Sequence, residues 1–316
     1  MKTLFILTPV YNDWQALARL IEELQALGRE QGLALHLLVV NDGSSSLPEA
    51  PPIPQGSLQT VQVLHLARNL GHQRAIAIGL AFAHQMDVQA PLIVMDCDGE
   101  DRPQDIPRLL AEAERRPDVI VFARRARRSE SLLFRSFYLI FKAIFRLLTG
   151  RSIAFGNFCL IPPSLLGRVV YLQEIWNHFA AGILRAGLPW TSIPTDRGRR
   201  YAGRSHMSLT PLVLHGLSAI SVYVEIVYAR LIFFALALLG ADVLGFLALL
   251  YVRYLTPLAI PGWATTVAIG LTLLASQAFL FLALLTFLLL SYRSARMFIP
   301  ASDYPAYLLR VEKWER

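Results

Sequence analysis

Two aspartates separated by one residue form the most informative chemical pattern in the sequence. Asp96 and Asp98 follow the apolar run 91–95 and precede Gly99 and Glu100. Carboxylates two residues apart in a turn reach one divalent ion, and hard oxygen ligands of this kind suit Mg²⁺ or Mn²⁺. An Asp-x-Asp pair alone is more often an acidic surface turn. Its place directly after a strand-like run favours the metal site.

The acidic turn lies in a region where strand-like and helix-like patterns alternate. Apolar periodicity predicts helices over Asp13–Gly28, Gly71–His84 and Asp105–Arg115. Strands that alternate with helices build a parallel, doubly wound α/β sheet, whose ligands bind beyond the carboxyl ends of the strands. We therefore expect Asp42, which follows the second strand, to lie near Asp96. The predicted strands are Thr3–Leu7, Leu35–Val40, Val61–Leu66, Pro91–Met95 and Val119–Phe122.

Two apolar stretches near the C-terminus predict a membrane hairpin. Between residues 231 and 292 the only charged residues are Asp242 and Arg253. The segments Leu231–Val252 and Trp263–Leu290 are each long enough to cross a hydrocarbon core of about 30 Å. Because Lys and Arg lie mainly before the first span and after the second, the positive-inside rule predicts that both termini and the α/β domain lie in the cytoplasm, at the cell membrane.

A basic, apolar segment precedes the hairpin. Within Leu132–Leu148 the cations Arg135, Lys142 and Arg146 are spaced seven and four residues apart, so they form one stripe of a helix. Such a helix is typical of the membrane interface. A buried core helix with extended cationic side chains is the alternative.

These features divide the chain into four expected regions. They are an α/β domain at 1–130, an interfacial, membrane-proximal region at 131–222, a membrane region with the two apolar segments at 223–293 and a cytoplasmic tail at 294–316. A hairpin of this kind is also compatible with lateral packing into a homo-oligomer.

Charge and cysteine content narrow the class of protein. The net charge is +7, and the basic residues cluster at 124–128, 135–151 and 197–204. Anionic lipids or phosphorylated ligands explain basic clusters near a membrane region better than nucleic acid does. Cys97 and Cys159 are too few for a disulfide framework, which fits a reducing compartment.

Four further segments carry a resemblance to a known family. The runs TPVYND (8–13), VVNDGSSS (39–46), RNLGHQRAIAIGL (68–80) and VMDCDGEDRP (94–103) resemble the inverting family 2 glycosyltransferases, which have a GT-A fold. The polyprenyl-phosphate branch is the most similar, because the resemblance continues through RRYAGRSHMS (199–208) and the membrane hairpin. It implies transfer of a sugar from a nucleotide-sugar donor to a polyprenyl phosphate, with Mg²⁺ or Mn²⁺ as cofactor.

The resemblance also implies roles for individual residues. The resemblance implies that Pro9, Tyr11 and Asp42 contact the base and ribose of the donor. It implies that Asp96, Asp98 and Glu100 contact the metal and the diphosphate, and that Asp98 is also catalytic. Donor or acceptor phosphates would bind Arg125, Arg128, Arg200 and Ser205.

The sequence departs from the family pattern at two positions. Asn157 stands where the family has the carboxylate of a Gly-Asp-Phe motif, and His206 stands where Lys is usual. A phosphate monoester acceptor, whose second pKa is about 6, arrives largely deprotonated and needs no strong base. Asn157 is therefore expected to orient such an acceptor by hydrogen bonds, while a capping or turn Asn is the alternative.

Two other functions are compatible with these patterns. One is a membrane glycosyltransferase that acts on the hydroxyl of a glycolipid or glycan. The other is a non-catalytic scaffold that binds nucleotide sugars. Metal-dependent nucleotide binding that is lost in Asp98→Ala would favour an enzyme over the scaffold.

Overall fold

The structure is a computed structural model that describes residues 2–48, 56–125, 142–152, 155–201, 209–258, 260 and 262–314. Arg128, Ser205 and His206 lie outside the described residues, as does the first part of the basic segment, 132–141. Arg125 ends a described strand, but its side chain is also outside the description.

The chain forms two compact units. The first comprises 1–141, 152–222 and 297–316, and the second comprises 142–151 and 223–296.

The first unit is built on an eight-stranded mixed sheet that is mostly parallel. Its strand order is β7-β5-β6-β4-β1-β2-β3-β8. The pairs β1–β2, β1–β4, β2–β3 and β5–β7 are parallel, whereas β6 and β8 run antiparallel to their neighbours. The strands are β1 Lys2–Val10, β2 Leu33–Asn41, β3 Leu58–Leu66, β4 Leu92–Val94, β5 Ile120–Arg125, β6 Cys159–Ile161, β7 Trp190–Thr195 and β8 Leu308–Trp314.

Helices cover both faces of this sheet. One face packs against α1 and α3, and the other against α2, α4 and α5, so each face has its own buried apolar cluster. On the second face Gly79 brings α2 close to β1, since a Cβ there would meet Leu7 Cδ1 at 2.3 Å. The helices are α1 Trp14–Gln31, α2 His72–Gln85, α3 Ile106–Arg115, α4 Pro163–Val170, α5 Phe179–Arg185, α6 Leu209–Ser221 and, near the C-terminus, the short α9 Pro300–Asp303.

The three helices and five strands that the sequence predicts for the α/β region are all present, with ends that differ by a few residues. Helix α1 buries the predicted face of Leu17, Leu20, Ile21 and Leu24 and ends at Gly32 in the left-handed conformation. Three strands lie outside the predicted set. Because β6, β7 and β8 belong to the sheet, it includes parts of the regions 131–222 and 294–316, which the sequence pattern separated from the α/β domain.

The second unit consists of two long helices and a short one. Helices α7 (Val224–Leu255) and α8 (Trp263–Ser294) are long and apolar enough to cross a membrane, and they expose most of their large apolar side chains. Near their polar ends, Arg293 Nε lies 3.2 Å from Glu225 Oε1. Residues 142–149 are helical, and within this unit Phe145 packs edge-on against Tyr223.

Candidate active site

Asp42 fixes the turn between β3 and α2. Its carboxylate accepts hydrogen bonds from the backbone N–H groups of Leu70 (2.7 Å) and Gly71 (2.9 Å). Burial raises the pKa of Asp42, while these two hydrogen bonds and the nearby His72 and Arg74 oppose the increase. Since both oxygens accept backbone amides, Asp42 holds the turn between β3 and α2 at the carboxyl edge of the sheet.

The loop after β2 is tightly folded around Gly43. Gly43 has φ +69°, and a Cβ there would lie 2.4 Å from the backbone of Arg68 and Asn69. This contact places the loop directly against the turn that Asp42 holds. Tyr11, at the end of the neighbouring strand β1, is half exposed at the same edge, and Pro9 is buried beside it in β1.

Asp96 and Asp98 lie in the turn after β4, as predicted. Asp96 Oδ1 is 3.1 Å from His72 Nε2, and the Asp96 backbone N–H donates to Asp101 Oδ2 at 3.0 Å. Asp98 Oδ1 accepts from the backbone N–H of Glu100 at 2.9 Å. Burial and the charge of Asp96 raise the pKa of Asp98 above its usual range. The turn therefore holds two close, mutually repelling carboxylates.

A basic segment docks on this acidic turn. The backbone N–H groups of Gly198 and Tyr201 donate to the carbonyls of Glu100 and Asp98, each at 2.9 Å. Arg200 Nη2 lies 3.5 Å from Asp98 Oδ2 and 3.8 Å from Asp13 Oδ2. These contacts bring Arg200, which the resemblance assigns to phosphate binding, beside the carboxylate assigned to the metal.

Arg200 keeps unused hydrogen-bonding capacity. Its Nε is buried and has no hydrogen-bond partner among the described residues. A buried guanidinium donor without a partner is costly, and phosphate oxygens accept two parallel bonds from this group. The segment thus offers an anion-binding donor next to the acidic turn.

Glu100 occupies a different position from the other two acids. Its carboxylate is paired with Arg197, and in the part of the chain that the structure describes no three His, Cys, Asp or Glu side chains gather as a metal-binding group. The structure therefore does not bring Asp96, Asp98 and Glu100 together as one ligand set. The pair Asp96 and Asp98 does fit a divalent cation, because a cation would relieve the repulsion that raises the pKa of Asp98.

Asn157 precedes β6, the strand beside β4. Strands β4 and β6 are antiparallel, and their pairing ends with Val94 opposite Cys159. Asp96 comes two residues after Val94 and Asn157 two residues before Cys159, so both follow the paired strands at the same edge of the sheet.

Comparison with known proteins identifies the class of this site. Residues 5–176 match the model of the family described as "Glycosyl transferase family 2". The chain belongs to this family. The membership confirms both the predicted family and the predicted GT-A fold, and it shows that the protein is a glycosyltransferase and not only a binding scaffold.

The chain also resembles individual proteins, at low sequence identity. The chain is 24% identical over 313 residues to the "Uncharacterized glycosyltransferase YkcC" of Bacillus subtilis (strain 168), covering 96% of this chain and 92% of that protein. It is 28% identical over 225 residues to an "Undecaprenyl-phosphate 4-deoxy-4-formamido-L-arabinose transferase" of Salmonella enteritidis. That match covers 67% of this chain and 65% of the relative, so the chain spans slightly less than two thirds of the relative's length.

Among solved structures, mannosyl-3-phosphoglycerate synthase from Rubrobacter xylanophilus is similar with a TM-score of 0.49 and 18% identity. The match covers 83% of this chain and 78% of that one.

His72, which contacts Asp96, is the first of three neighbouring histidines in this glycosyltransferase. Packing around the His72 ring would lower its pKa, but Asp96, Asp101 and Asp42 outweigh that effect and raise it. Partial burial and the charge of His72 lower the pKa of His215 on α6. The His215 ring lies 4.6 Å from that of His178, measured between centroids. The sequence carried no signal for His215, because a single His in an apolar helix has no characteristic spacing.

His178 is expected to make the stability of the protein depend on pH. Its Nδ1 accepts from the backbone N–H of Ala181 and so caps α5, and burial and His215 lower its pKa to about 3. In the unfolded chain it would titrate at its ordinary value of 6.5. Because the unfolded state binds the proton first, the stabilisation is present above pH 6.5 and is lost as the pH falls toward 3.

The pH dependence of stability that His178 causes can be tested with one substitution, His178→Asn. Thermal unfolding between pH 7.5 and 5.0 should show a smaller loss of stability in His178→Asn, which keeps a capping side chain, than in the wild-type protein. The difference should approach about 1.4 kcal/mol per pH unit below pH 6.5. An identical pH profile for both proteins would contradict the assignment.

Gly198 is expected to be required for docking of the basic segment. A Cβ at this position would lie 1.9 Å from the carbonyl oxygen of Gly99, which is backbone and has little room to move. Gly198→Ala should therefore displace Arg200 from Asp98 and reduce sugar transfer by about 10-fold or more. Gly240→Ala is the matched control, since a Cβ there meets nothing within 4 Å. Equal activity of the two variants would show that docking is dispensable.

Proposed function

We propose that this glycosyltransferase transfers a sugar from a nucleotide-sugar donor to a polyprenyl phosphate at the cytoplasmic face of the cell membrane. The observation that carries the proposal is the docking of Arg200 on Asp98, which combines a cation-binding carboxylate with a phosphate-binding cation. Two further facts support it: the same chain has two helices long enough to cross a membrane, and a relative is named as an undecaprenyl-phosphate transferase.

The donor would bind at the carboxyl edge of β1, β2 and β4. In this proposal Pro9, Tyr11 and the Asp42 loop hold the nucleoside, and Asp96 and Asp98 hold Mg²⁺ or Mn²⁺ beside the diphosphate. The ion would supply positive charge that stabilises the diphosphate as a leaving group. Arg200 would add hydrogen bonds from its guanidinium to the same phosphate oxygens.

The reaction is a single displacement with inversion. An oxygen of the acceptor phosphate forms a bond to the anomeric carbon as the bond from that carbon to the donor diphosphate breaks. The electron pair leaves with the nucleoside diphosphate, whose new charge faces Arg200. No proton needs to be removed from an acceptor that is already a dianion, so an amide at Asn157 suffices to orient it.

The membrane parts of the proposal come from the sequence pattern. We propose that 223–293 anchors the protein with both termini in the cytoplasm, following the distribution of Lys and Arg around the two apolar helices. The basic segment 132–148 would lie at the lipid surface and, with Arg125, Arg128 and Ser205, would attract the phosphate of the acceptor. A homo-oligomer formed through the hairpins is compatible with this arrangement.

A hydroxyl acceptor is less well supported. A sugar hydroxyl must lose a proton during attack, and the position that would carry the base is Asn157, which does not accept a proton at neutral pH. The carboxylates Asp96 and Asp98 lie on the donor side in this proposal.

Transfer into a lipid product tests the function. The full-length protein in detergent would be incubated with Mn²⁺, undecaprenyl phosphate and radiolabelled UDP-, GDP- and TDP-sugars in turn. Label should enter an organic-extractable, acid-labile product with one donor class. Undecaprenol, which lacks the phosphate, is the matched acceptor control and should stay unlabelled. Transfer to undecaprenol or to a free glycan, without any labelled lipid phosphate, would overturn the proposal.

A further inference from the structure

A chain of hydrogen bonds joins the last strand of the protein to the end of β2. Glu312 on β8 has its Oε2 3.1 Å from His65 Nε2 on β3. The other ring nitrogen, His65 Nδ1, lies 3.0 Å from Asn41 Nδ2. His65 and Asn41 are buried, so a polar group left without a partner here would be costly.

The hydrogen-bond donors and acceptors in this series, from Glu312 through His65 to Asn41, are mutually consistent. Asn41 Oδ1 accepts the backbone N–H of Ser44 at 3.0 Å, which turns its amide nitrogen toward His65. His65 must then accept at Nδ1 and carry its proton on Nε2, where it donates to the Glu312 carboxylate. Burial and the charge of Arg310 hold the pKa of His65 below its usual value, which fits a neutral ring.

The series of hydrogen bonds continues from Asn41 into the loop 41–46. This loop is here called the donor loop, because the proposed function places the nucleotide-sugar donor against it. Ser44 Oγ accepts the backbone N–H of Asn12, and Asn12 Oδ1 accepts the backbone N–H of Ser45, each at 2.9 Å. Asp42 and Gly43 lie within the same loop. The orientation of the Asn41 amide thus decides whether the Ser44 N–H is held.

We propose that Glu312 is a positioning residue for the donor loop and acts on it through His65 and Asn41. The proposal rests on the proposed function, in which this loop contacts the nucleoside of the donor. It assigns a role in donor binding to a residue that follows both long apolar helices and is distant along the sequence from the four motifs that resemble the family.

Loss of the carboxylate would release the loop. Without Glu312 the His65 ring has no acceptor for its Nε2 proton and is free to adopt the other tautomer. A proton on Nδ1 would face the Asn41 amide nitrogen, donor against donor, so that amide would turn over. Its nitrogen would then face the Ser44 N–H, and the bond that holds the loop would be lost.

Hydrogen exchange of the full-length protein in detergent tests the structural step without any ligand. In Glu312→Ala the Ser44 and Ser45 amides should exchange about 10-fold faster, while the amides of β1 keep their protection. Lys313→Ala is the matched control on the same strand, because Lys313 is exposed. Equal exchange in Glu312→Ala and Lys313→Ala would overturn the proposal.

Kinetics test the functional step. Glu312→Ala should raise KM for the donor sugar nucleotide about five-fold with little change in kcat, the effect of losing one net hydrogen bond in binding. Glu312→Gln, whose amide oxygen still accepts, should restore KM. A lower Tm with an unchanged KM would indicate a merely structural role and overturn the proposal.

The hydrogen-exchange and kinetic measurements together distinguish a failure of this inference from a failure of the proposed function. If the wild-type protein transfers no sugar, the proposed function fails, while the exchange measurement still decides whether Glu312 holds the loop. If Glu312→Ala does not fold, His65→Phe, which keeps an aromatic ring of somewhat larger volume and removes both hydrogen bonds, must accelerate exchange at Ser44 and Ser45.

Discussion

Asp98→Asn should reduce sugar transfer by about 10²- to 10³-fold, the size of effect seen when one electrostatic stabiliser of a transition state is removed. The amide keeps the size of the side chain and one oxygen, but it lacks the negative charge that strengthens binding of a divalent cation. Binding of a nucleoside diphosphate should therefore also lose its dependence on Mn²⁺.

The same substitution should leave the fold intact or stabilise it. Burial and repulsion by Asp96 both raise the pKa of Asp98, so the ionised carboxylate is unfavourable in the structure described. Replacing it with a neutral amide removes that repulsion, although the weak ion pair with Arg200 is lost as well. A loss of activity with no loss of stability separates a functional residue from a structural one.

Two measurements on the same preparations check the prediction. Transfer rates would be compared with the melting temperature, and Asp118→Asn would serve as the control for an exposed aspartate that changes to Asn. Full activity in Asp98→Asn would remove this carboxylate from the mechanism. A large drop in melting temperature would instead assign the loss to misfolding.

The sequence predicted the acidic part of the site because local patterns determine it. Strand β4 is a continuous apolar run, and the carboxyl ends of parallel strands meet at one edge of the sheet. Asp42 and Asp96 therefore had to lie at the same edge, and His72, at the start of α2, bridges them: its Nε2 contacts Asp96, and its charge opposes the raised pKa of Asp42.

The position of Glu100 could not be predicted from the same pattern. Its spacing from Asp96 and Asp98 suits a third metal ligand, but Arg197 competes for its carboxylate. That competition depends on how the segment 197–201 packs against the turn. Gly198 allows this close approach, and nothing in the local sequence around Glu100 indicates it.

The C-terminal strand shows the same limit for the fold. The run Leu308–Trp314 has charged residues at Arg310, Glu312 and Lys313, and it follows two apolar helices, so its composition is typical of a polar tail. Its antiparallel pairing with β3 joins residues about 250 positions apart, as in Val61 opposite Trp314. Only the tertiary structure reveals such a partner.

Trp314→Ala should be the most destabilising single change near the C-terminus. Trp314 is only 6% exposed, belongs to the apolar cluster beneath α1, and lies 6.4 Å from the ring of Trp14. Truncating a buried Trp to Ala removes its buried area and leaves a cavity, which costs about 3–5 kcal/mol in the free energy of unfolding. For a unit of this size the melting temperature should fall by on the order of 10 °C.

Leu309→Ala is the matched control for this last prediction. Leu309 lies on the same strand and is 69% exposed, so its truncation should change the free energy of unfolding by less than about 0.5 kcal/mol. Unfolding in detergent would be followed by circular dichroism, since removing a Trp alters fluorescence directly. If both variants melt at the wild-type temperature, β8 adds little to the core. If only Trp314→Ala is destabilised, the segment after the apolar helices is part of the catalytic domain's core, and through Glu312 on the same strand it can also act on the donor loop.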